Sequence, residues 1–254
     1  MARLTFLGTG TSQGVPMVAC PCSVCHSADP KDRRLRSSVL VSDGVTNVAI
    51  DAGPDFRYQM LRAEVTHLEA ILLTHEHKDH TGGIDDVRAF NYFQQSATDI
   101  YATERVQRAV RKDFDYAFAE KRYPGVPEIR LHDITDDEIH IGELTFRPIH
   151  GLHYRLPVVG FRCGTAAYLT DFNHIDDGEV EKLRGVETLI VNALRWEKHI
   201  SHFTVDEALE LSRRVAPRRT LLTHCSHQIG LYAEVAPRLP QGVELAYDTL
   251  SIEI

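Results

Sequence analysis

The sequence predicts an α/β fold of two packed sheets covered by helices. Three observations predict it. Short apolar, β-branched runs recur in both halves of the chain, amphipathic stretches lie between them, and no linker, repeat period or low-complexity tract divides the halves. A chain of 254 residues, 43% apolar and 25% charged, can bury a sizeable core without disulfide help. One domain over residues 1–254 is expected.

Residues 3–7, 38–41, 46–50 and 70–73 read as strands, each bounded by Gly, Asp or Thr. Residues 55–62, 85–92 and 103–119 read as helices. In the second half, 139–141, 144–149, 158–163, 167–169, 188–191 and 220–222 read as strands. Residues 205–215 form the clearest helix. Val205, Ala208, Leu209, Ser212 and Val215 recur at helical spacing, and Asp206 and Glu207 occupy the first turn, where the helix dipole favours acid.

The net charge of −8 argues against a general nucleic-acid binder, which usually carries a basic face. No apolar run approaches the ~20 residues of a membrane span. Met1 and Ala2 lead directly into the first strand without a secretory apolar segment. Five cysteines, three of them crowded together, suit reduced thiols and a metal better than a disulfide framework. A cytoplasmic protein with no membrane partner is expected.

The densest chemistry lies in Leu72-Leu73-Thr74-His75-Glu76-His77-Lys78-Asp79-His80. An apolar strand runs into four metal-type donors within six positions, and Gly82-Gly83 lets the chain turn. His75 and His77 alternate at period two, so both reach one side if strand geometry continues. Asp79 and His80 are adjacent and point apart, which suits a second ion. Imidazole and carboxylate donors favour Zn²⁺ or Mn²⁺.

Residues 75–80 resemble the signature of the metallo-β-lactamase superfamily. The opening Phe6-Leu7-Gly8-Thr9-Gly10-Thr11-Ser12-Gln13-Gly14-Val15-Pro16 resembles its phosphodiesterase branch, and the likeness runs over essentially the whole chain. The resemblance implies a four-layer αββα sandwich and a hydrolase with two catalytic divalent ions, Mn²⁺ or Zn²⁺, sharing a water. It implies His75, His77 and His153 on one ion, Asp79, His80 and His224 on the other, and Asp171 bridging both. His150 competes with His153. Asp51 is expected to orient a ligand without binding metal. His202 resembles the general acid of the branch, with His199 as the competing candidate; Asp79 is counted with His202 among the catalytic groups.

Cys20, Cys22 and Cys25, spaced C-x-C-x₂-C, match a tetrahedral structural zinc site that needs a fourth ligand. The resemblance gives His227 that place; His26 and Cys225 are the alternatives. Cys225 otherwise receives no role, and Cys163 reads as core. A branch associated with pyrroloquinoline quinone synthesis carries a related cysteine loop.

The expected activity is hydrolysis of a small phosphate diester, including a cyclic phosphoribosyl type. The alternatives are tRNA 3′-end processing, a lactone or thioester hydrolase on the same fold, and a silent metal scaffold. Lys31, Arg33, Arg34 and Arg36 read either as a substrate-phosphate contact or as a solvated basic face. Arg105, Arg108, Arg111, Lys112, Lys121 and Arg122 offer a modest basic helix to RNA. A homodimer is expected.

Overall fold

The computed structural model describes residues 2–254. Six strands of the first half are β1 (Arg3–Gly8), β2 (Ser38–Ser42), β3 (Asn47–Ile50), β4 (Ala70–Leu72), β5 (Thr98–Ala102) and β6 (Ile129–Asp133). The second half supplies β7 (Ile139–Ile141), β8 (Leu144–His153), β9 (Leu156–Cys163), β10 (Ala166–Leu169), β11 (Thr188–Asn192), β12 (Arg219–Thr223) and β13 (Val243–Leu245). The last strand, β14 (Ser251–Glu253), crosses back to the first sheet beside β1. The two seven-stranded sheets run β14-β1-β2-β3-β4-β5-β6 and β13-β12-β11-β10-β9-β8-β7.

Both sheets are mixed in the same way. β1, β2 and β3 pair antiparallel and β3 to β6 pair parallel; β8, β9 and β10 pair antiparallel and β10 to β13 pair parallel. Parallel neighbours need crossovers, and these are helical. The first half carries α1 (Phe56–Arg62), α2 (Lys78–Thr81), α3 (Arg88–Gln94), α4 (Glu104–Asp113) and α5 (Asp115–Phe118). The second carries α6 (Asp177–Glu181), α7 (Val205–Val215) and α8 (Tyr232–Val235).

Strand periodicity sorts the apolar residues into three layers. Phe6, Val39, Val41, Ile50, Phe146, Phe161, Tyr168, Ile190 and Leu221 pack between the sheets. Their alternates Leu7, Leu40, Ala49 and Ile71 face out against Phe56, Val87, Val106 and Val110. Leu169, Leu189, Val191 and Leu222 face out against Val205, Ala208 and Leu211. Strands covered on both faces read as unbroken apolar runs, which is why the sequence shows them so plainly. The result is the expected helix–sheet–sheet–helix sandwich.

Differences from the expected elements are local. The helix expected at 103–119 breaks at Phe114, whose φ of −119° and ψ of 40° separate α4 from α5. The helix expected at 85–92 begins as a 3-10 turn over Ile84–Val87 before α3. β5, β6, β13 and β14 are additional to the strands that the sequence predicts; each has five residues or fewer, and their pairing partners lie far away in sequence. β4 stops at Leu72, so strand geometry does not carry through to His77. Gly82 and Gly83 have ordinary negative φ, and what they allow is close approach. A Cβ on Gly83 would lie 2.1 Å from the Gly53 carbonyl oxygen, and one on Gly53 would lie 1.9 Å from that of Asp79.

Candidate metal centre

The loop after β4 delivers the first donors. His75 is fully buried, and its Nδ1 sits 3.0 Å from Thr74 Oγ1. His77 caps the helical turn α2 in extended conformation. The turn then throws Asp79 and His80 toward a different spot. His80 Nδ1 meets Asp51 Oδ2 at 2.7 Å, which leaves Nε2 facing inward. Asp51 stands just past β3, wholly buried, and also accepts from Thr74 N and Oγ1 at 2.9 and 3.1 Å. One carboxylate thus fixes both the root of the loop and the ring of His80.

The second half contributes single residues from three strand ends. His153 closes β8, and its Nδ1 lies 2.6 Å from the Ser201 carbonyl oxygen. Asp171 follows β10 and His224 follows β12. Both are buried, with φ of 64° and 53°. Asp51 shares this left-handed conformation at 67°. Such conformations cost a non-glycine residue about 1–2 kcal/mol and gather at functional sites. Asn192, at the end of β11, holds the Asp171 turn: its Oδ1 accepts from Phe172 N at 2.7 Å and its Nδ2 donates to Phe172 O at 2.9 Å.

These segments converge on two adjoining groups of donors. His75, His77 and His153 form one; Asp79, His80, Asp171 and His224 form the other. Within each group the donor atoms lie within 4.8 Å of one another. A third overlapping group joins His153 and Asp171 to His202, whose Nε2 is 3.0 Å from Asp171 Oδ1. His199 stands behind it, Nδ1 to Nδ1 at 3.2 Å. The two halves are stitched beside the loop by a backbone bond from Val159 N to Thr74 O at 3.0 Å.

The donor set fits cations on its own evidence. The Nε2 atoms of His75 and His80 are buried without a hydrogen-bond partner. His80 Nε2 lies 3.1 and 3.2 Å from Asp79 and Asp171 oxygens without aiming a hydrogen bond at either. Unpaired buried imidazole nitrogens facing carboxylates are costly unless a cation completes them. The electrostatics agree. Burial, aided by His80, drives His75 well below the usual imidazole range, and burial pushes His224 down to about 3. Burial opposes ionisation of Asp171, but His224 and His80 hold it well below the carboxylate range. Burial opposes charge on His80 too, yet Asp79, Asp171 and Asp51 raise it well above the usual range. The ionised Asp171 and the neutral His75 and His224 rings are in the states that bind metal, whereas His80 carries a proton that a cation among the same carboxylates would replace.

A second cluster lies where the N-terminal loop meets the loop after β12. Cys20 and Cys22 Sγ are 3.4 and 3.3 Å from His227 Nδ1, and Cys25 joins them within the same 4.8 Å. The His227 contact draws the Cys22 thiol down to about 6, while burial pushes Cys25 up to about 11. His26 turns its Nδ1 to the Cys22 carbonyl and is outside the group. Cys225 and Cys163 are buried among apolar side chains. His150 also stands apart, 3.0 Å from Asp136.

Among the basic residues near the cysteines, Arg33 is exposed, as a solvated face would have it, and the other three answer to neither expected reading. Arg34 is buried, donating to Thr9 Oγ1 and Ala246 O; Arg36 pairs with Asp55; Lys31 lies over the rings of Tyr232 and Tyr247. They bind the N-terminal loop to its neighbours. In the α4 region, Arg105 pairs with Glu76, Arg108 with Glu104, and Arg111 covers Phe118. An open cleft of about 520 Å³ adjoins the first donor group and is lined by His77 and His153 together with Ser201, Tyr154, Arg155 and Ile200. Tyr154, Arg155, Asn173 and Asn192 carried no sequence motif that marked them.

Comparison with known proteins follows the same line. The beta-lactamase superfamily domain matches residues 46–225. A crystal structure described as a new diphosphatase from the PhnP family superposes with a TM-score of 0.93 at 39% identity, covering 100% of this chain and 98% of that one. Zn²⁺-bound PqqB from Methylobacterium extorquens superposes at 0.79 with 18% identity over 99% of this chain and 100% of its own, a likeness of fold alone. An octanoyltransferase of Porphyromonas gingivalis is 39% identical over 98% of this chain but only 51% of its own length, so the chain spans about half of that relative. No helix among the described residues is long and apolar enough to cross a membrane. With its family matched over most of its length and its His and Asp donors gathered in metal-binding geometry, the chain belongs to the beta-lactamase superfamily and is a metal-dependent hydrolase.

Proposed function

We propose that the protein hydrolyses a small phosphate diester, a cyclic sugar phosphate among the candidates, at a dinuclear centre. That centre is built from His75, His77, His153, Asp79, His80, Asp171 and His224. The observation that carries the reading is the meeting of donors from both halves in two adjoining groups, the first of which reaches an open cleft through His77 and His153. Similarity to the PhnP-family diphosphatase over the full chain supports the phosphorus chemistry. When bound, Zn²⁺ or Mn²⁺ would acidify a water and offset charge on phosphate oxygens.

The side chains supply the rest. Asp171, reaching toward both groups, balances charge between them. Asp51 and the Ser201 carbonyl hold His80 and His153 by their Nδ1 atoms, so that the Nε2 atoms face the centre. His202 is the proposed acid for the leaving alkoxide. Ser201 Oγ, at 3.1 Å, and His199 orient the ring through Nδ1, so that Nε2, 3.0 Å from Asp171 Oδ1, is the nitrogen whose proton would pass to the leaving oxygen. Cys20, Cys22, Cys25 and His227 are proposed to hold a structural zinc that braces the loop following His224. We read residues 1–254 as one domain, supported by the return of β14 to the first sheet. Reduced thiols suit a cytoplasmic setting. The exposed apolar Tyr58, Leu61, Tyr92 and Phe93 on α1 and α3 support a homodimer.

The acidic balance and the internal pairing of the α4 arginines count against tRNA as substrate. The acyl-ester reading has one observation behind it, the octanoyltransferase name of a relative twice this length. Turnover of bis-p-nitrophenyl phosphate, a lactone and p-nitrophenyl octanoate by metal-reconstituted protein separates them. We expect diester cleavage; turnover of the octanoate ester or lactone with no diester cleavage overturns the reading.

A further inference from the structure

We propose that Ser37 is a positioning residue: its hydroxyl, held by the Gly10 carbonyl, fixes the ring of His224 so that Nε2 is the nitrogen offered to a cation. This rests on the reading of Asp79, His80, Asp171 and His224 as half of a metal centre. Ser37 is buried just before β2 and comes from the opposite half of the chain to His224. Its Oγ donates to the Gly10 carbonyl oxygen at 3.0 Å, and its backbone N donates to the same oxygen at 3.0 Å. With that proton committed, the hydroxyl can only accept. His224 Nδ1 lies 3.0 Å away, so this nitrogen carries the ring proton and donates it. Nε2 keeps a free lone pair, the form in which a neutral imidazole binds metal.

Packing alone does not set which edge of the ring faces the donors. His80 and His202 both stack on it, with centroids 5.7 and 5.0 Å away and planes at 16° and 18°. Stacking fixes the plane, yet a half-turn about χ2 returns a flat ring to that plane. After the half-turn a C–H would face Ser37 Oγ, and a buried hydrogen bond would be lost. Ser37 is the closest acceptor. Asp171 Oδ2 stands 3.2 Å from Nδ1 without an aligned hydrogen bond. Thr170 Oγ1 is 3.4 Å from Nδ1 and donates its own proton to Asp171 Oδ2 at 2.6 Å. The opening glycine-threonine motif gains a purpose here. Gly10 bridges Arg36 and Cys225, Cys225 N donates to Thr9 O at 2.9 Å, and Thr11 N donates to Cys225 O at 3.2 Å. The residue after His224 is thus gripped by the segment that holds Ser37, which helps keep His224 at its φ of 53°. A Cβ on Gly10 would lie 2.9 Å from both Cβ and the carbonyl oxygen of Arg34, so glycine lets the three segments meet.

Competition with a chromogenic chelator on Zn²⁺-reconstituted protein counts the exchangeable ions and reads their affinities. The wild type should hold two beyond the cysteine zinc. S37A should hold one of them about 10- to 100-fold more weakly, the range for loss of a ligand's hydrogen-bond partner, with the other unchanged. S37T, which keeps the hydroxyl, should restore most of the loss. A residue that only filled space would change Tm without picking out one ion. Nitrogen-15 NMR of the histidine rings in the same zinc-loaded protein reads the tautomer directly. We expect one Nδ1–H slow to exchange with water, absent in H224Q and exchanging faster in S37A. Equal affinities in S37A and the wild type, a loss shared by both ions, or a His224 proton on Nε2 overturns the proposal. A slow Nδ1–H at His224 that depends on Ser37, in a wild type holding fewer than two exchangeable ions, supports it while sinking the dinuclear reading.

Discussion

The two halves share a strand plan but arm it differently. In the first, one short loop after β4 carries His75, His77, Asp79 and His80, and the strand-end Asp51 beside it serves as brace. In the second, His153, Asp171 and His224 come singly from β8, β10 and β12, and the brace is Asn192, binding the backbone after Asp171. A contiguous loop can fix four donors with one set of backbone bonds. Dispersed donors need each strand end locked separately, and two of them, Asp171 and His224, are held in left-handed backbone that surrounding structure must enforce.

The largest effect expected is at the donors themselves. His75→Ala and Asp171→Ala, one from each half, should each lower diester turnover by more than about 10²-fold together with bound metal, exceeding the 10–100-fold typical of a ligand's partner. If one half proves dispensable, the single shared centre is wrong. Next comes the brace: Asp51→Asn should weaken metal binding about 10- to 100-fold, measured by competition with a chromogenic chelator. Unchanged affinity would make Asp51 a packing residue only. Cys22→Ser should release one zinc per chain by elemental analysis and lower Tm by roughly 5 °C, at about 2–4 °C per kcal/mol for this size. Full zinc content in that variant would remove the structural site.

The smallest effect contrasts two helices. Thr204 begins α7 in a capping box, its Oγ1 accepting from Glu207 N at 3.2 Å while Glu207 Oε2 accepts from Thr204 N at 2.9 Å. Thr103 precedes α4 with no such bond. Thr204→Ala should therefore cost about 1 kcal/mol, or some 2–4 °C, and Thr103→Ala less than about 0.5 kcal/mol in thermal melts. Equal losses would mean the box adds nothing.

The same contrast governed what the sequence disclosed. The loop donors stand within six positions after an apolar strand, a pattern visible to the eye. Asp171 and His224 each follow an apolar run ending in Thr, a signal too common to act on without a family resemblance. The helix 205–215 was legible to the residue because its cap and its periodicity agree. The short strands β5, β6, β13 and β14 were not, since their stability comes from neighbours distant in sequence. Nor was Asn192, whose importance lies in the Phe172 backbone it binds on a neighbouring strand end. The glycines after His80 read in the sequence as a place for the chain to turn, whereas what they provide is absence of bulk where two backbones touch.

The crossing of β14 sets a timetable for biosynthesis. Arg3, Leu4 and Thr5 take their outer partners from Glu253, Ile252 and Ser251, so the sheet that β1 begins keeps an open edge until β14, which follows every other strand of both sheets, pairs with it. The nascent chain must shield that edge until then, and a variant lacking only β14 should aggregate far more readily than the small size of the deletion suggests.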